Sequence, residues 1–164
     1  MGRHAAVIGS FKQYNEEIQD VCAQLRLASV IVTSPIGTQV QTAGIEFVRY
    51  ETDDPEKTDY EVQSLAMHRI LHTDFVYVVA PAGYIGRTTC YEIGRIIQAR
   101  HPIYFSEQPL DLPIHIPASF IINTAELLEL VNKPDWTPTW LFDRESNYVG
   151  QLERELIRAE QRAE

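Results

Sequence analysis

The sequence predicts an α/β fold, a three-layer sandwich of the Rossmann-like or flavodoxin-like kind built on a five-stranded, mainly parallel sheet. Two observations support this prediction. Short apolar segments rich in β-branched residues alternate with longer segments of helical periodicity, and glycines follow the first and the central strand segments. With 164 residues, 45% of them hydrophobic, the chain is long enough to bury the core of a single domain.

Five segments have the composition of buried strands. They are residues 4–9, 29–33, 74–80, 101–105 and 118–123. Residues 45–50 form a further candidate strand, followed by a polar stretch, residues 51–56, that is expected to be a solvated loop or a mobile flap. If the strand order is 2-1-3-4-5, the first and third strands lie side by side and the turns after them face one cleft.

Helices are predicted from apolar side chains that recur at helical spacing. The predicted ranges are residues 14–27, 58–72, 89–99, 124–131 and a charged helix within 143–164. Thr89 and Thr124 are the predicted N-caps of the third and fourth helices. Cys22 lies on the apolar stripe of the first helix, so it is interpreted as a core residue rather than a reactive thiol.

The last segment differs in character from the rest, so the chain is divided into an α/β domain over residues 1–132 and a C-terminal extension over residues 133–164. Trp136 and Trp140 stand in an extended segment, and Val149, Leu152 and Leu156 share one helical stripe. These apolar groups suit either docking on the domain or a subunit interface. A homo-oligomer is the expectation.

The charge balance limits the partners. Lys and Arg total 14 against 23 Asp and Glu, a formal net charge of −9, which argues against a nucleic-acid polymer or an anionic membrane surface. No apolar run approaches the roughly 20 residues that cross a bilayer, so no membrane span is expected. The chain has 2 cysteines and no charged-then-apolar leader, which predicts a cytoplasmic protein without a disulfide framework.

The stretch from Ala80 to Gly94 joins a predicted buried strand to a helix and carries the main candidate for chemistry. Gly83 and Gly86 allow a sharp turn and the close approach of a ligand to backbone amides. Glu92 brings a carboxylate to this junction, where open α/β sheets bind their ligands. A structural interpretation is a capping box from Thr89 to Glu92, in which the glutamate returns to the cap amide.

A second turn, Gly9-Ser10-Phe11-Lys12, follows the first predicted strand. The unpaired amides and the dipole of a helix N-terminus favour an anion such as phosphate or carboxylate at such a turn. An ordinary tight connection between a strand and a helix would explain the same residues. The predicted topology brings this turn opposite Gly83, and this convergence is the main evidence for a site.

With both turns identified, the chain resembles the nucleoside 2-deoxyribosyltransferase superfamily, including its 2'-deoxynucleoside 5'-monophosphate N-hydrolase branch. Gly9-Ser10-Phe11-Lys12 is similar to the family's Gly-Ser-x-Arg turn, and Tyr91-Glu92-Ile93-Gly94-Arg95 to its Tyr-Glu-Leu-Gly-Arg helix start. Thr73-Asp74 before the apolar strand and Pro102-Ile103 after the helix also fit. The resemblance spans residues 5–105.

The resemblance implies that Glu92 is a nucleophile that attacks the anomeric carbon of the sugar. The helix dipole is expected to keep this carboxylate ionised. Displacement of the base leaves a glycosyl-enzyme intermediate, which water resolves in a hydrolase and a second base in a transferase. The implied ligand is a small nucleoside or nucleotide, with no cofactor and no metal.

The substrate-binding residues are expected in the two turns and the helix starts that follow them. They are Gly9, Ser10, Phe11, Lys12, Gly83, Tyr84, Gly86, Arg87 and Thr88. Of these, Ser10, Lys12, Arg87 and Thr88 are expected around a 5'-phosphate. Many transferases have acidic residues where this chain has Gly86 and, approximately, Ala66, so the leaving-group acid is unassigned. The candidates are Asp74, Glu61 and His68.

Further hypotheses stay open. The same fold without those acids suits a nucleotide-binding sensor or adaptor. The stretch from Pro81 to Glu92 loosely resembles the Pro-Gly-Gly-x-Gly-Thr-x-x-Glu turn of lysine-decarboxylase-like phosphoribohydrolases, where the glutamate supports catalysis without obvious covalent attack. Cys90 is a second possible nucleophile, although no histidine is near it in the sequence to activate it. His68 and His72, one turn apart, are either half of a metal site or two surface histidines.

Overall fold

The computed structural model describes residues 2–44 and 47–161 and confirms the α/β class. The strands are β1 His4–Gly9, β2 Ile31–Ser34, β3 Val40–Gly44, β4 Phe47–Tyr50, β5 Phe75–Val79 and β6 Ile103–Phe105. The helices are α1 Phe11–Leu27, α2 Asp59–Leu71, α3 Arg87–Gln98, α4 Thr124–Val131 and α5 Tyr148–Gln161.

The main sheet is parallel, with the strand order β2-β1-β5-β6. β1 and β5 are neighbours in a register that pairs Ala5 with Phe75 and Gly9 with Val79. This confirms that the first strand and the strand before Gly83 lie side by side. Because the two strands are parallel and in register to their last residues, the turns that follow them start at the same edge of the sheet.

The prediction of a fifth strand over residues 118–123 was wrong. Ala118–Phe120 form a 3-10 helix after Pro117, and only Ile121 makes a parallel bridge, to Phe105. The 3-10 turn takes up Ala118–Phe120, so only Ile121 and Ile122 remain before Asn123, the N-cap of α4, to run beside β6. Within the described residues the parallel sheet therefore has four strands.

A separate antiparallel hairpin, β3 and β4, stands beside the main sheet. Residues 47–50 of the candidate strand 45–50 are β4, whereas residues 45 and 46 lie outside the described residues. Its partner β3 has a polar sequence and was not predicted. Arg49 anchors the following loop, because its guanidinium bonds the Asp59 carboxylate at 2.7 Å and the Lys57 carbonyl at 2.6 Å.

Two hydrophobic clusters cover the two faces of the parallel sheet. Ile8 and Val78 face one cluster with side chains of α2 and α3, whereas Val7 and Tyr77 face the other with side chains of α1 and α4. Burial on both faces explains why these strands are almost continuously apolar. Cys22 belongs to the second cluster, where burial raises its pKa to about 11, so the thiol is a core group as expected.

The C-terminal segment contributes to both clusters. Trp140, Leu141 and Phe142 pack in the α2/α3 cluster, and the Trp140 Nε1 donates a hydrogen bond to the Ile97 carbonyl at 3.0 Å. Trp136 packs edge-on against Phe75, with ring centroids 5.3 Å apart. The two tryptophans therefore dock on the α/β unit and complete its core. In the stripe of α5, Leu156 is 63% exposed, and residues 162–164 of the predicted helix lie outside the described residues.

Three predicted helix starts need correction. α3 begins after Gly86, so Thr89 lies inside the helix and is buried rather than capping it. α4 is capped by Asn123, whose side chain accepts from the Glu126 amide, and not by Thr124. α1 begins three residues before the predicted Tyr14, whose non-helical angles (φ −128°, ψ 34°) separate a first turn from the regular helix.

Candidate active site

A cavity of about 270 Å³ opens at the carboxyl ends of β1 and β5. Its walls come from the turn after β1, the turn after β5, the first half of α3, one face of α2 and the end of the β3–β4 hairpin. The topology explains why the cavity lies at this edge of the sheet, because the loops after adjacent parallel strands diverge and leave a crevice between them.

The structure brings almost all of the predicted site residues to this one cavity. Those that line it are Gly9, Ser10, Phe11, Lys12, Tyr84, Gly86, Arg87, Thr88 and Glu92. The two turns lie close together, since a Cβ placed on Gly86 would lie 3.5 Å from the Ser10 Oγ. The sequence prediction that both turns face a single cleft is therefore realised in the geometry.

Gly83 is the exception, because it does not line the cavity. Its φ is +74°, and a Cβ there would lie 2.6 Å from the Gln108 carbonyl oxygen and 2.7 Å from the Leu110 Cγ. The Leu110 amide also donates to the Gly83 carbonyl at 3.0 Å. Gly83 is thus required for a left-handed turn packed against the loop after β6, and not for the approach of a ligand.

Glu92 stands in the cavity wall, in the second turn of α3, and is only 6% exposed. Its Oε1 accepts a hydrogen bond from the Gln63 Nε2 of α2 at 3.0 Å. The capping-box interpretation is wrong, because Gly86 is the N-cap residue and no side chain caps this helix. The carboxyl group therefore belongs to the cavity and not to the helix end.

Burial raises the pKa of Glu92 to about 7, and the hydrogen bond from Gln63 opposes part of that rise. The sequence led us to expect that the helix dipole keeps this carboxylate fully ionised. That expectation placed Glu92 in the first turn, whereas the earlier start of α3 moves it to the second turn, beyond the reach of the dipole. The result is a carboxyl group that gains and loses its proton near neutral pH.

Helix α2 supplies part of the wall. Ala66, the approximate position of an acid in the similar transferases, lines the cavity, as do Gln63 and Arg69, which were not predicted from the sequence. The Arg69 Nε is buried and has no hydrogen-bond partner in the part of the chain that the structure describes. A signal was present, because Gln63 and Arg69 interrupt the apolar face that Val62 and Ile70 define at helical spacing.

Aromatic rings form much of the remaining wall. Phe11 and Tyr50 meet edge to face with ring centroids 5.4 Å apart, and Tyr84 meets Tyr14 at 6.0 Å. Burial raises the pKa of Tyr50 far above its usual range, so this phenol stays protonated. Asp53, which accepts from the Tyr50 amide at 2.8 Å, adds a second carboxyl to the cavity lining.

None of the three predicted candidates for the leaving-group acid lines this cavity. Asp74 lies at the opposite end of the sheet, where its carboxylate accepts from the His4 amide at 2.7 Å. Glu61 forms a capping box with Thr58, and that contact lowers its pKa. The His68 ring stacks on His72, with centroids 4.1 Å apart.

The geometry supports neither Cys90 as a nucleophile nor a metal site at the histidines of α2. Cys90 lies outside the cavity lining, and burial raises the pKa of its thiol, which disfavours a thiolate nucleophile. Within residues 2–44 and 47–161, no three His, Cys, Asp or Glu side chains come together as a metal site would require.

The fold and the cavity together define an α/β protein with a parallel sheet and a buried, titratable carboxyl group at the carboxyl edge of that sheet. Comparisons with protein-family models, with curated proteins and with solved structures gave no match. None of the helices in the described residues has the length and apolar character needed to cross a membrane.

Proposed function

We propose that this protein cleaves or exchanges the N-glycosidic bond of a nucleoside or nucleotide, with Glu92 as the nucleophile. One observation carries the proposal: the Glu92 carboxyl is held by Gln63 in the wall of a cavity between the turns that follow β1 and β5. Open α/β sheets place ligands at this edge, and a carboxylate is the usual nucleophile of retaining glycosidases.

The reaction follows from the position of Glu92. The ionised carboxylate attacks the anomeric carbon as the bond to the base breaks, and the bonding electron pair leaves with the base nitrogen. The product is an ester between Glu92 and the sugar. Water attacks this ester in a hydrolase, and a second base attacks it in a transferase, in each case regenerating the carboxylate.

The rest of the cavity suits a nucleoside or its monophosphate. Ser10 and Lys12 lie at the N-terminus of α1, and Arg87 and Thr88 at the N-terminus of α3, so the amides of two helix ends meet where a phosphate is proposed. Aromatic side chains offer surfaces for a base. The volume of about 270 Å³ lies just below the roughly 300–1,000 Å³ of small-molecule sites.

A second candidate is hydrolysis in which Glu92 acts as a general acid–base and never bonds to the sugar. The observation that favours it is the pKa of about 7, because a group that titrates near the working pH transfers protons most effectively. This is the chemistry suggested by the loose resemblance to the phosphoribohydrolases. The two candidates differ in whether a covalent intermediate forms.

The test is base release from a panel of ribonucleosides, deoxynucleosides and their monophosphates, followed by chromatography. The proposal expects release by the wild-type protein and a loss of at least roughly 10³-fold in Glu92→Gln, which keeps the shape and removes the charge. Glu17→Gln, an exposed position on α1, is the matched control and should retain full activity. Thermal stabilisation by nucleotides without any release would instead support a binding protein.

Further features belong to this proposal. The clusters on the two sheet faces support a three-layer arrangement of the flavodoxin-like kind. A homo-oligomer is proposed because Leu152 and Leu156 leave an apolar stripe exposed on α5. A cytoplasmic location is proposed because nucleotide substrates are concentrated there and the chain has 2 cysteines, neither in a disulfide.

A further inference from the structure

We propose that Arg69 binds the hydrogen-bond acceptor edge of the nucleobase and stabilises the negative charge that the base carries as it leaves. This inference rests on the proposed function and deepens it, because it names a group that serves the leaving base in a site without an assigned acid. It also predicts which bases the cavity accepts.

Arg69 lines the cavity of about 270 Å³, and its Nε is buried without a hydrogen-bond partner among the described residues. A buried donor without a partner is costly, more so when it belongs to a charged group. Because the Nε itself has almost no exposed surface, a ligand in the cavity would meet this guanidinium through its terminal nitrogens. An acceptor placed there would offset the cost of holding the guanidinium in the cavity wall.

Arg69 stands further along α2 than the residue that holds Glu92. Gln63, which holds the Glu92 carboxyl, precedes Arg69 by six residues on the same helix, about 9 Å along the axis. Both side chains line the cavity. A nucleoside whose anomeric carbon is at Glu92 would therefore reach Arg69 by extending its base along α2.

Arg69 is also separate from the proposed phosphate site. Lys12 belongs to the N-terminus of α1 and Arg87 to that of α3, whereas Arg69 is near the C-terminal end of α2. Burial raises the pKa of Glu92 and the Gln63 hydrogen bond lowers it, with no contribution from a basic group of the described residues. The Arg69 guanidinium and the Glu92 carboxyl thus line one cavity without forming an ion pair.

The leaving base does not need a carboxylic acid side chain to protonate it. As the Glu92 oxygen bonds to the anomeric carbon, the carbon–nitrogen bond breaks and its electron pair spreads over the ring and carbonyl acceptors of the base. Arg69 donates to those acceptors, and the released base takes a proton from water. A preorganised cation aimed at developing charge is a large source of rate acceleration.

The same geometry predicts base preference. A guanidinium has donors only, so it matches a base edge that presents adjacent acceptors, as guanine does with N7 and O6. Adenine places an amino donor beside N7. That amino group would face the donors of the guanidinium, and no hydrogen bond could form between them. The site should therefore favour guanine, or a pyrimidine with a carbonyl at that edge, over adenine.

The experiment compares the wild-type protein with Arg69→Met and Arg69→Lys, and with Arg26→Met at an exposed position of α1 as the control. Each substitution is also made in the Glu92→Gln background, so that binding is measured without turnover. Titration calorimetry with guanosine and adenosine monophosphates and with ribose 5-phosphate reports binding; base release reports catalysis.

We expect Arg69→Met to weaken binding of the guanosine monophosphate roughly tenfold or more, and binding of ribose 5-phosphate by less than about threefold. Among substrates, the loss of kcat should be largest for bases that are poor leaving groups. Equal weakening for ribose 5-phosphate would assign Arg69 to the phosphate and overturn the inference, as would unchanged binding. Because binding is read separately, an absence of turnover in the wild type would refute only the proposed function.

Discussion

The Gln63 side chain of α2 donates a hydrogen bond from its Nε2 to the Oε1 of Glu92 on α3, at 3.0 Å. This contact joins the two helices and orients the Glu92 carboxyl group. Burial has raised the pKa of that group. A hydrogen bond to the charged form of an acid lowers its pKa. The bond therefore makes Glu92 a stronger acid than burial alone would allow.

Removal of that donor should shift the pH dependence of activity. Gln63→Met keeps the volume of the side chain and removes the donor, so the pKa of Glu92 should rise above its value of about 7. The midpoint of the rising limb of kcat/KM should move to higher pH. The measurement is a pH profile of base release for both proteins, and an unchanged midpoint would contradict the role given to Gln63.

The raised pKa of Glu92 also predicts how stability depends on pH. The unfolded carboxyl ionises near 4.5 and the folded one near 7, so between these values the folded protein holds the extra proton and its stability falls as the pH rises. Well above pH 7 both states are ionised and the loss is complete, roughly 3 kcal/mol. Glu92→Gln should remove this dependence.

Urea unfolding at pH 5 and pH 8 measures this effect. The Glu92→Gln protein should gain stability relative to the wild type on going from pH 5 to pH 8. Glu17→Gln should follow the wild type at both values. A stability difference between Glu92→Gln and wild type that does not change with pH would show that Glu92 has an ordinary pKa.

The two glycines of the strand-to-helix turn should respond differently to alanine. Gly83→Ala forces a left-handed backbone and a clash with the Gln108 carbonyl, so it should destabilise the fold by about 2 kcal/mol or more. Gly86→Ala meets only an ordinary contact, 3.5 Å from the Ser10 Oγ, and should leave stability nearly unchanged. Because Gly86 lines the cavity, its methyl group should instead weaken nucleotide binding.

Unfolding curves and calorimetric titration of both variants separate these effects. The pattern expected is a lower midpoint for Gly83→Ala with near-normal affinity once folded, and a normal midpoint for Gly86→Ala with reduced affinity. The reverse pattern would show that Gly83 is the glycine that faces the ligand.

Trp140 should be a structural residue of the domain. It is 7% exposed, packs edge-on against Phe142 and donates to the Ile97 carbonyl. Trp140→Ala should therefore cost about 3–5 kcal/mol, whereas Trp140→Phe should cost less because it keeps most of the packing. Chemical denaturation measures both. A cost below about 1 kcal/mol for Trp140→Ala would mean that the C-terminal segment does not complete the core.

The sequence was sufficient to predict the parallel sheet and the meeting of its two turns, because both follow from local patterns. Continuous apolar runs require burial on both faces, and adjacency of β1 and β5 then brings Ser10 and Gly86 together. The predictions that were wrong or left open depended on contacts between residues distant in sequence. Gly83 could not be distinguished from a ligand-facing glycine without Gln108, and the tryptophans could not be assigned to the core without Ile97 and Phe75.

The polar half of the cavity was harder to predict. Gln63 and Arg69 are 29 and 23 residues from Glu92, and a search for apolar stripes passes over polar residues on the same face. The helix start at Gly86 rather than Thr89 also changed the chemistry, since it moved Glu92 away from the dipole and let burial set its pKa. A small error in the predicted start of α3 thus altered the charge state expected for Glu92.

The account depends most on covalent attack by Glu92, and mass spectrometry of the quenched reaction tests this directly. A nucleotide with fluorine at the sugar 2-position slows hydrolysis of the ester, because fluorine destabilises the oxocarbenium-like transition state. The account predicts an intact-protein mass increase equal to the sugar fragment, located on the peptide that contains Glu92 and absent in Glu92→Gln. Sustained base release with no adduct, or release by Glu92→Gln at the wild-type rate, would contradict it.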